Sequence, residues 1–247
     1  MKIRCFFVFF CIFAQKNRFR RENVIYILQL KDIEMVENKQ NRADLRNKII
    51  AFAMPEFYRR GVKAVKMDEI SMALHVSKRT VYEIFGDKED LLIAGMKMRH
   101  EEMKQNVEHF ALTKAGNVID VISFVYRQQM KLSKNVSVVF YEEIHKMPRV
   151  LKFLQEMHAQ ERDDSLCFFE AGMKEGLFRT DVNYEILIDT ANACMEEIMH
   201  RQFYRKYSMK DLYDNHFLIV IRGFCTARGL ALLDKAMEGS ELIDPFQ

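Results

Sequence analysis

The stretch LHVSKRTVYEIFGDKEDLL, residues 74–92, holds a helix of barely two turns with two unlike sides. At helical spacing Val81, Ile84 and Phe85 share one side, while Lys78, Arg79, Tyr82 and Glu83 share the other. Ser77 is placed to cap its start, because a serine hydroxyl accepts from amide groups that a first turn leaves unpaired. Gly86 ends it. Asp87 can cap the helix that follows, with Asp90 at the position of a capping-box carboxylate.

Working outward, Asp68–Leu74 fits a second short helix, and His75-Val76-Ser77 is the turn between the two. Before it, Leu45, Ile49, Phe52, Ala53 and Phe57 recur at three- and four-residue steps and stop at Gly61. Pro55 interrupts that helix, so a kink is expected there.

Two helices joined by a three-residue turn form a helix-turn-helix pattern, whose second helix enters the major groove of DNA. Val81, Ile84 and Phe85 would hold the short helix to a core, leaving its polar side to meet a duplex. Lys78 and Arg79 can neutralise phosphates, and the planar fork of Arg79 can instead clamp a guanine. Thr80 and Tyr82 offer hydroxyl donors, and Glu83 can accept from a cytosine amino group. Lys88 in the next helix and Lys66 before the second helix are further phosphate contacts. With Ser77 at the helix start, these residues make the expected DNA-facing set. The plain alternative is a solvated polar face on an ordinary small helix.

Charge supports the nucleic-acid reading. Residues 42–100 carry twelve Lys and Arg against eight Asp and Glu, whereas residues 101–247 carry eighteen against twenty-three. A basic front on an acidic remainder suits a polyanion-binding head on a body with another task. The five cysteines are scattered, with no Cys-x-x-Cys pair and no metal-ligand spacing, which points to a reduced, cytoplasmic protein with no metal or cofactor. Only three prolines occur in 247 residues, which favours long connected helices over a many-turned β fold.

MKIRCFFVFFCIFAQKNRFRR at the front imitates a signal peptide, but the apolar run Phe6–Ala14 is too short to span a bilayer. Three readings stay open: a targeting segment, a loosely attached extension, or sequence upstream of a start at Met35. Residues 1–40 are expected to be an extension, disordered or lying ahead of that start, and no stable membrane association is expected.

Beyond residue 117 amphipathic helices are expected at 117–133, 136–146, 149–175, 183–206 and 212–237. This body is dense in methionine and aromatic residues, which line adaptable apolar cavities. Phe124, Met130, Phe140, Tyr141, His145, Phe168, Phe169 and Met195 are the candidate pocket residues. Core packing is the simpler account of any one of them. Ile186, Ala193 and Ile198, then Leu218, Ile221, Cys225 and Leu232, give the last two helices broad apolar faces that suit either a dimer or the chain's own core. Gly223 and Gly229 would permit close helix approach.

Residues 45–95, LRNKIIAFAMPEFYRRGVKAVKMDEISMALHVSKRTVYEIFGDKEDLLIAG, resemble the DNA-binding head of the tetracycline-repressor (TetR) family. Phe57, Gly61, Ile70, Val76-Ser77, Thr80, Tyr82, Phe85 and Lys88-Glu89 carry the resemblance. Lys66 stands where a capping Thr or Ser is usual, Ser71 where Ala is usual and His75 where Gly is usual, so His75 must tolerate a positive φ. The resemblance implies an all-α fold: a helix-turn-helix head over 41–87, and over 88–240 a helical body that binds a small apolar ligand and forms a homodimer. It implies a ligand-responsive repressor on a near-palindromic stretch of double-stranded DNA. A helical interaction module with the same fold but no DNA binding is the rival. No nucleophile elbow, phosphate-cradling glycine loop or His-Glu-x-x-His motif suggests an enzyme.

Overall fold

Helix after helix begins where a side chain can take up its first unpaired amides. Ser77 accepts from the Thr80 N–H, Asp87 from Asp90, Asn117 from Ile119 and Asp120, Ser137 from Phe140, and Asn183 from Ile186. The computed structural model describes residues 31–159 and 162–238. In chain order these form α1 (Lys31–Arg60), α2 (Met67–Ala73), α3 (Lys78–Ile84), α4 (Lys88–Thr113), α5 (Val118–Ser133) and α6 (Val138–Ile144). Then come α7 (Pro148–Ala159), α8 (Arg162–Lys174), α9 (Tyr184–His200), α10 (Met209–Leu212), α11 (Leu218–Phe224) and α12 (Ala227–Glu238). The fold is all-α. Among the described residues no helix is long and apolar enough to cross a membrane.

α1 reaches back to Lys31, inside the segment expected to be an extension, while residues 1–30 lie outside the described residues. The helix also continues through Pro55. Ala51 and Pro55 are both exposed, so the Ala51 carbonyl, which loses its N–H partner to the proline ring, lies on the open side.

The expected helix at 149–175 is described as α7 and α8, with residues 160 and 161 between them outside the described set. The helix expected at 183–206 stops at His200, and Gln202 follows with φ +57. The expected helix at 212–237 is not continuous either. It passes through a π turn at Tyr213–Phe217 and breaks at Cys225, whose φ of −73 and ψ of 145 are extended. The cause is distant in sequence. The Arg179 N–H donates to the Phe224 carbonyl at 2.8 Å and the Thr226 N–H to the Leu177 carbonyl at 2.9 Å, making an isolated antiparallel bridge between Phe178 and Cys225. Gly229 completes this crossing, since a Cβ there would lie 2.2 Å from the Leu177 carbonyl oxygen.

Two apolar clusters hold the chain together. One gathers Ile49, Phe57, Ile70, Val81, Phe85 and Leu91 of the first four helices, together with Phe140 and Ile144 of α6 and Val150 and Leu154 of α7. The other is built on α5, α8, α9, α11 and α12, around Ile119, Phe169, Phe178, Phe217 and Leu233. Helices α6 and α7 therefore share the core of the front helices, although they follow residue 88 in the chain.

Candidate nucleic-acid interface

The short helix α3 is fixed from beneath. Val81 is fully buried and Phe85 nearly so, and the Arg46 guanidinium of α1 lies 5.4 Å above the Phe85 ring. The turn before it is held by the His75 N–H to the Met72 carbonyl at 3.2 Å and the Val76 N–H to the Ser71 carbonyl at 3.0 Å. His75 takes φ +53, the left-handed conformation that the sequence demanded of a residue standing where glycine is usual. The Ser71 hydroxyl, buried under this turn, donates to the Asp68 carbonyl at 2.8 Å.

The opposite side of α3 faces outward. Tyr82 is 42% exposed, and the Arg79 side chain 88%. Arg79 pairs with Glu83 one turn on at 2.7 Å, and Lys78 pairs with Asp68 of α2 at 2.8 Å. The hydrogen bond to Asp68 raises the Lys78 pKa above the usual lysine value. Thr80 turns its hydroxyl to that of Ser77 at 2.8 Å, so both belong to the helix cap. Arg42, which the sequence reading passed over, donates from α1 to the Glu83 carbonyl at 3.0 Å. Exposed pairs such as Arg79–Glu83 contribute little, so a phosphate can take the place of the carboxylate.

The two outlying lysines differ from each other. Lys66 is exposed at the N-terminus of α2, with extended backbone and no side-chain cap bond. Lys88 instead donates to the Lys63 carbonyl at 3.2 Å, and burial lowers its pKa despite Glu143 and Glu69 nearby. It belongs to the joint between the front helices and the rest. There the Lys63 N–H donates to Glu143 of α6 at 2.8 Å, and the Ser137 N–H donates to the Tyr58 carbonyl at 2.8 Å. Arg149 of α7 reaches Asp87 at 2.6 Å and also grips Asp90. The Asp90 carboxylate therefore serves Arg149. Burial alone would raise the Asp87 pKa, yet the Asp90 amide and Arg149 hold it below the ordinary aspartate value.

The candidate pocket residues do not form one group. Phe124, Phe168, Phe169 and Met195 lie in the second cluster, where Phe124 stacks on Phe110 and Phe169 on Tyr184, each pair at 4.3 Å. Met130 packs at that cluster's edge. Phe140 belongs to the front cluster, edge-on to Tyr58 at 5.0 Å, and Tyr141 touches both clusters. His145 lies beside Tyr204, a residue the sequence reading passed over, with ring centres 5.9 Å apart. His145 Nδ1 donates to the Tyr141 carbonyl, leaving Nε2 as a bare acceptor. That Nε2 and the Tyr204 hydroxyl are both buried with no hydrogen-bond partner among the described residues. Burial lowers the His145 pKa and raises that of Tyr204.

Residues 49–94 match the family model for bacterial regulatory proteins of the tetR family. No curated protein sequence matches. Among solved structures, a TetR-family transcriptional regulator from Agrobacterium tumefaciens is similar in fold, with TM-score 0.55 at 12% identity over 75% of this chain and all of that one. CprB, a TetR-family protein from S. coelicolor A3(2), gives 0.56 at 16% identity over 82% of this chain and all of that one. A gamma-butyrolactone receptor described as ArpA-like gives 0.51 at 16% identity with the same coverage.

Proposed function

We propose that the chain, whose residues 49–94 match the tetR-family model, is a DNA-binding transcriptional regulator acting as a ligand-responsive repressor. The observation that carries this reading is the outward face of α3, where Arg79 and Tyr82 project from a helix whose other side is locked by Val81 and Phe85. Arg79, Tyr82, Lys78 and Glu83 meet the major groove, Lys66 meets the flanking backbone, and Ser77 and Thr80 keep the helix start in shape. Lys88 steadies the joint, and it reaches a phosphate only by leaving the Lys63 carbonyl. The head would span 41–87 and the body 88–240, with α6 and α7 as the body's contact with the head.

Two copies would place two heads in successive major grooves, on half-sites about one helical turn apart. Ile186 of α9, 60% exposed, and Ile219 of α11, 58% exposed, supply an apolar face for that dimer, with Ala193 and Gly223 also exposed. Ile198, Ile221 and Cys225 are committed to the chain's own core. The effector would sit beside Tyr141, His145 and Tyr204, where two buried polar atoms lack partners among the described residues. A buried acceptor and a buried hydroxyl left unpaired each cost about 1–3 kcal/mol, which a small, mostly apolar molecule with one polar end would recover. Such a molecule and DNA would weaken each other's binding reciprocally. The protein would act in the cytoplasm.

Selection of bound duplexes from a random library tests the reading. Enrichment of an inverted repeat is expected, and a library that stays unenriched would overturn it. One observation favours the rival interaction module: both cations of α3 are paired to carboxylates, Lys78 to Asp68 and Arg79 to Glu83.

A further inference from the structure

A cleft of about 770 Å³ opens where α1 and α4 run beside the connection from α5 to α6. That volume lies within the roughly 300–1,000 Å³ of small-molecule sites. Its walls are apolar at Ile50, Met54, Met98, Leu132 and Val136. Ala51 and Pro55 line it too, so the carbonyl that the proline deprives of an N–H partner belongs to the same wall.

The charges around the cleft are unequal in their commitments. Glu56 is already held by Arg59 at 2.7 Å and by Arg60 at 3.2 Å. Arg99 lies 5.9 Å above the Tyr58 ring and Lys134 is exposed at the end of α5; neither makes an ion pair with a described residue. Glu102, the remaining carboxylate of the lining, sits three residues from Arg99 and opposes an anion. The lining still carries three cations, Arg59, Arg99 and Lys134, against two carboxylates. Apolar walls with two cations that no described carboxylate holds suit a molecule that is apolar along its length and anionic at one end.

We propose that this cleft binds an amphiphilic carboxylate, its chain against Met54, Met98 and Val136 and its carboxylate between Arg99 and Lys134. The occupant bridges α1 and α4, and so touches the front helices and the helix that leads out of them. The site shares no residue with Tyr141, His145 and Tyr204, and it stands whether or not the effector reading above holds.

Isothermal titration of the full chain with dodecanoate, below its micelle concentration and without DNA, tests this. Dodecanol is the neutral comparison. One molecule per chain is expected, weakened about 5- to 20-fold by Arg99→Gln or Lys134→Gln and by a similar factor when dodecanol replaces dodecanoate. Ala51→Phe, at an exposed position on the wall, should abolish binding, and Tyr204→Phe should leave it unchanged. Circular dichroism confirms that each variant is folded. Absence of any binding, equal affinity in the Arg99→Gln/Lys134→Gln double variant, or loss in Tyr204→Phe would each overturn the assignment.

Discussion

Helices α3 and α6 start from nearly the same design. Each has seven residues, and each is capped by a serine, Ser77 or Ser137, that accepts from the third amide of the helix. Their surroundings separate them. Along α3 only Val81 is buried, and the polar residues face outward. In α6 both Phe140 and Ile144 are buried, Glu143 accepts from the Lys63 amide, and Glu142 pairs with Arg205 at 2.6 Å. One helix is free to meet a new partner. The other is already spent between two cores, and its polar groups serve the fold.

The sharpest way to break this contrast is to remove a ring from each helix. Phe140→Ala should cost about 3–5 kcal/mol in urea unfolding, as loss of a buried phenyl does. Tyr82→Ala should stay within about 0.5 kcal/mol, since the side chain is 42% exposed. Comparable costs would mean that Tyr82 is part of the core. Next in size, Gly61→Ala should destabilise by about 1–3 kcal/mol. Gly61 has φ +84, and a Cβ there would lie 2.7 Å from Val139 of α6. A neutral result would dissolve the contact between α6 and the front helices.

Smaller effects sharpen the comparison further. Ser77→Ala and Ser137→Ala should cost about 1 kcal/mol each and about equally, because the caps are alike. Acid should discriminate between the helices as well. Burial, aided by His200, keeps the His145 pKa below the usual histidine value. The unfolded chain therefore takes up this proton first, near a pH of about 6.5. Stability from this source is complete above that pH and falls as pH drops toward the folded pKa. His145→Gln should make the loss of urea midpoint between neutral pH and pH ~5.5 shallower, while Tyr82→Phe should not change it. His216, lowered by the same cause, keeps its share in both.

The front helices were legible because their signals are local. Ser77, Asp87, Gly61 and His75 each act within a few residues, and the two positive φ angles follow from turns that the sequence spells out. Signals that depend on distant partners were not legible. Nothing near Cys225 announces the break there; it follows from pairing with residues 177–179, nearly fifty positions earlier. Phe140 reads as one more body aromatic until α6 is seen against Tyr58. Tyr204 lies in an ordinary aromatic run, RQFYRKY, and only the fold brings it beside His145. Lys88 has the right place in sequence for a phosphate contact, but its ammonium is held by the Lys63 carbonyl.

The most direct test of the α3 face is the salt dependence of binding to a selected duplex, for the natural chain and for Arg79→Ala. If that face meets DNA, log affinity falls steeply with log salt, and the variant loses affinity by about 5- to 100-fold. It should also show a slope shallower by about 0.9 if Arg79 meets a phosphate, or relaxed preference at one base pair if it meets a guanine. An Arg79→Ala variant with the natural affinity, slope and preference would contradict the assignment of α3 as the DNA-reading element.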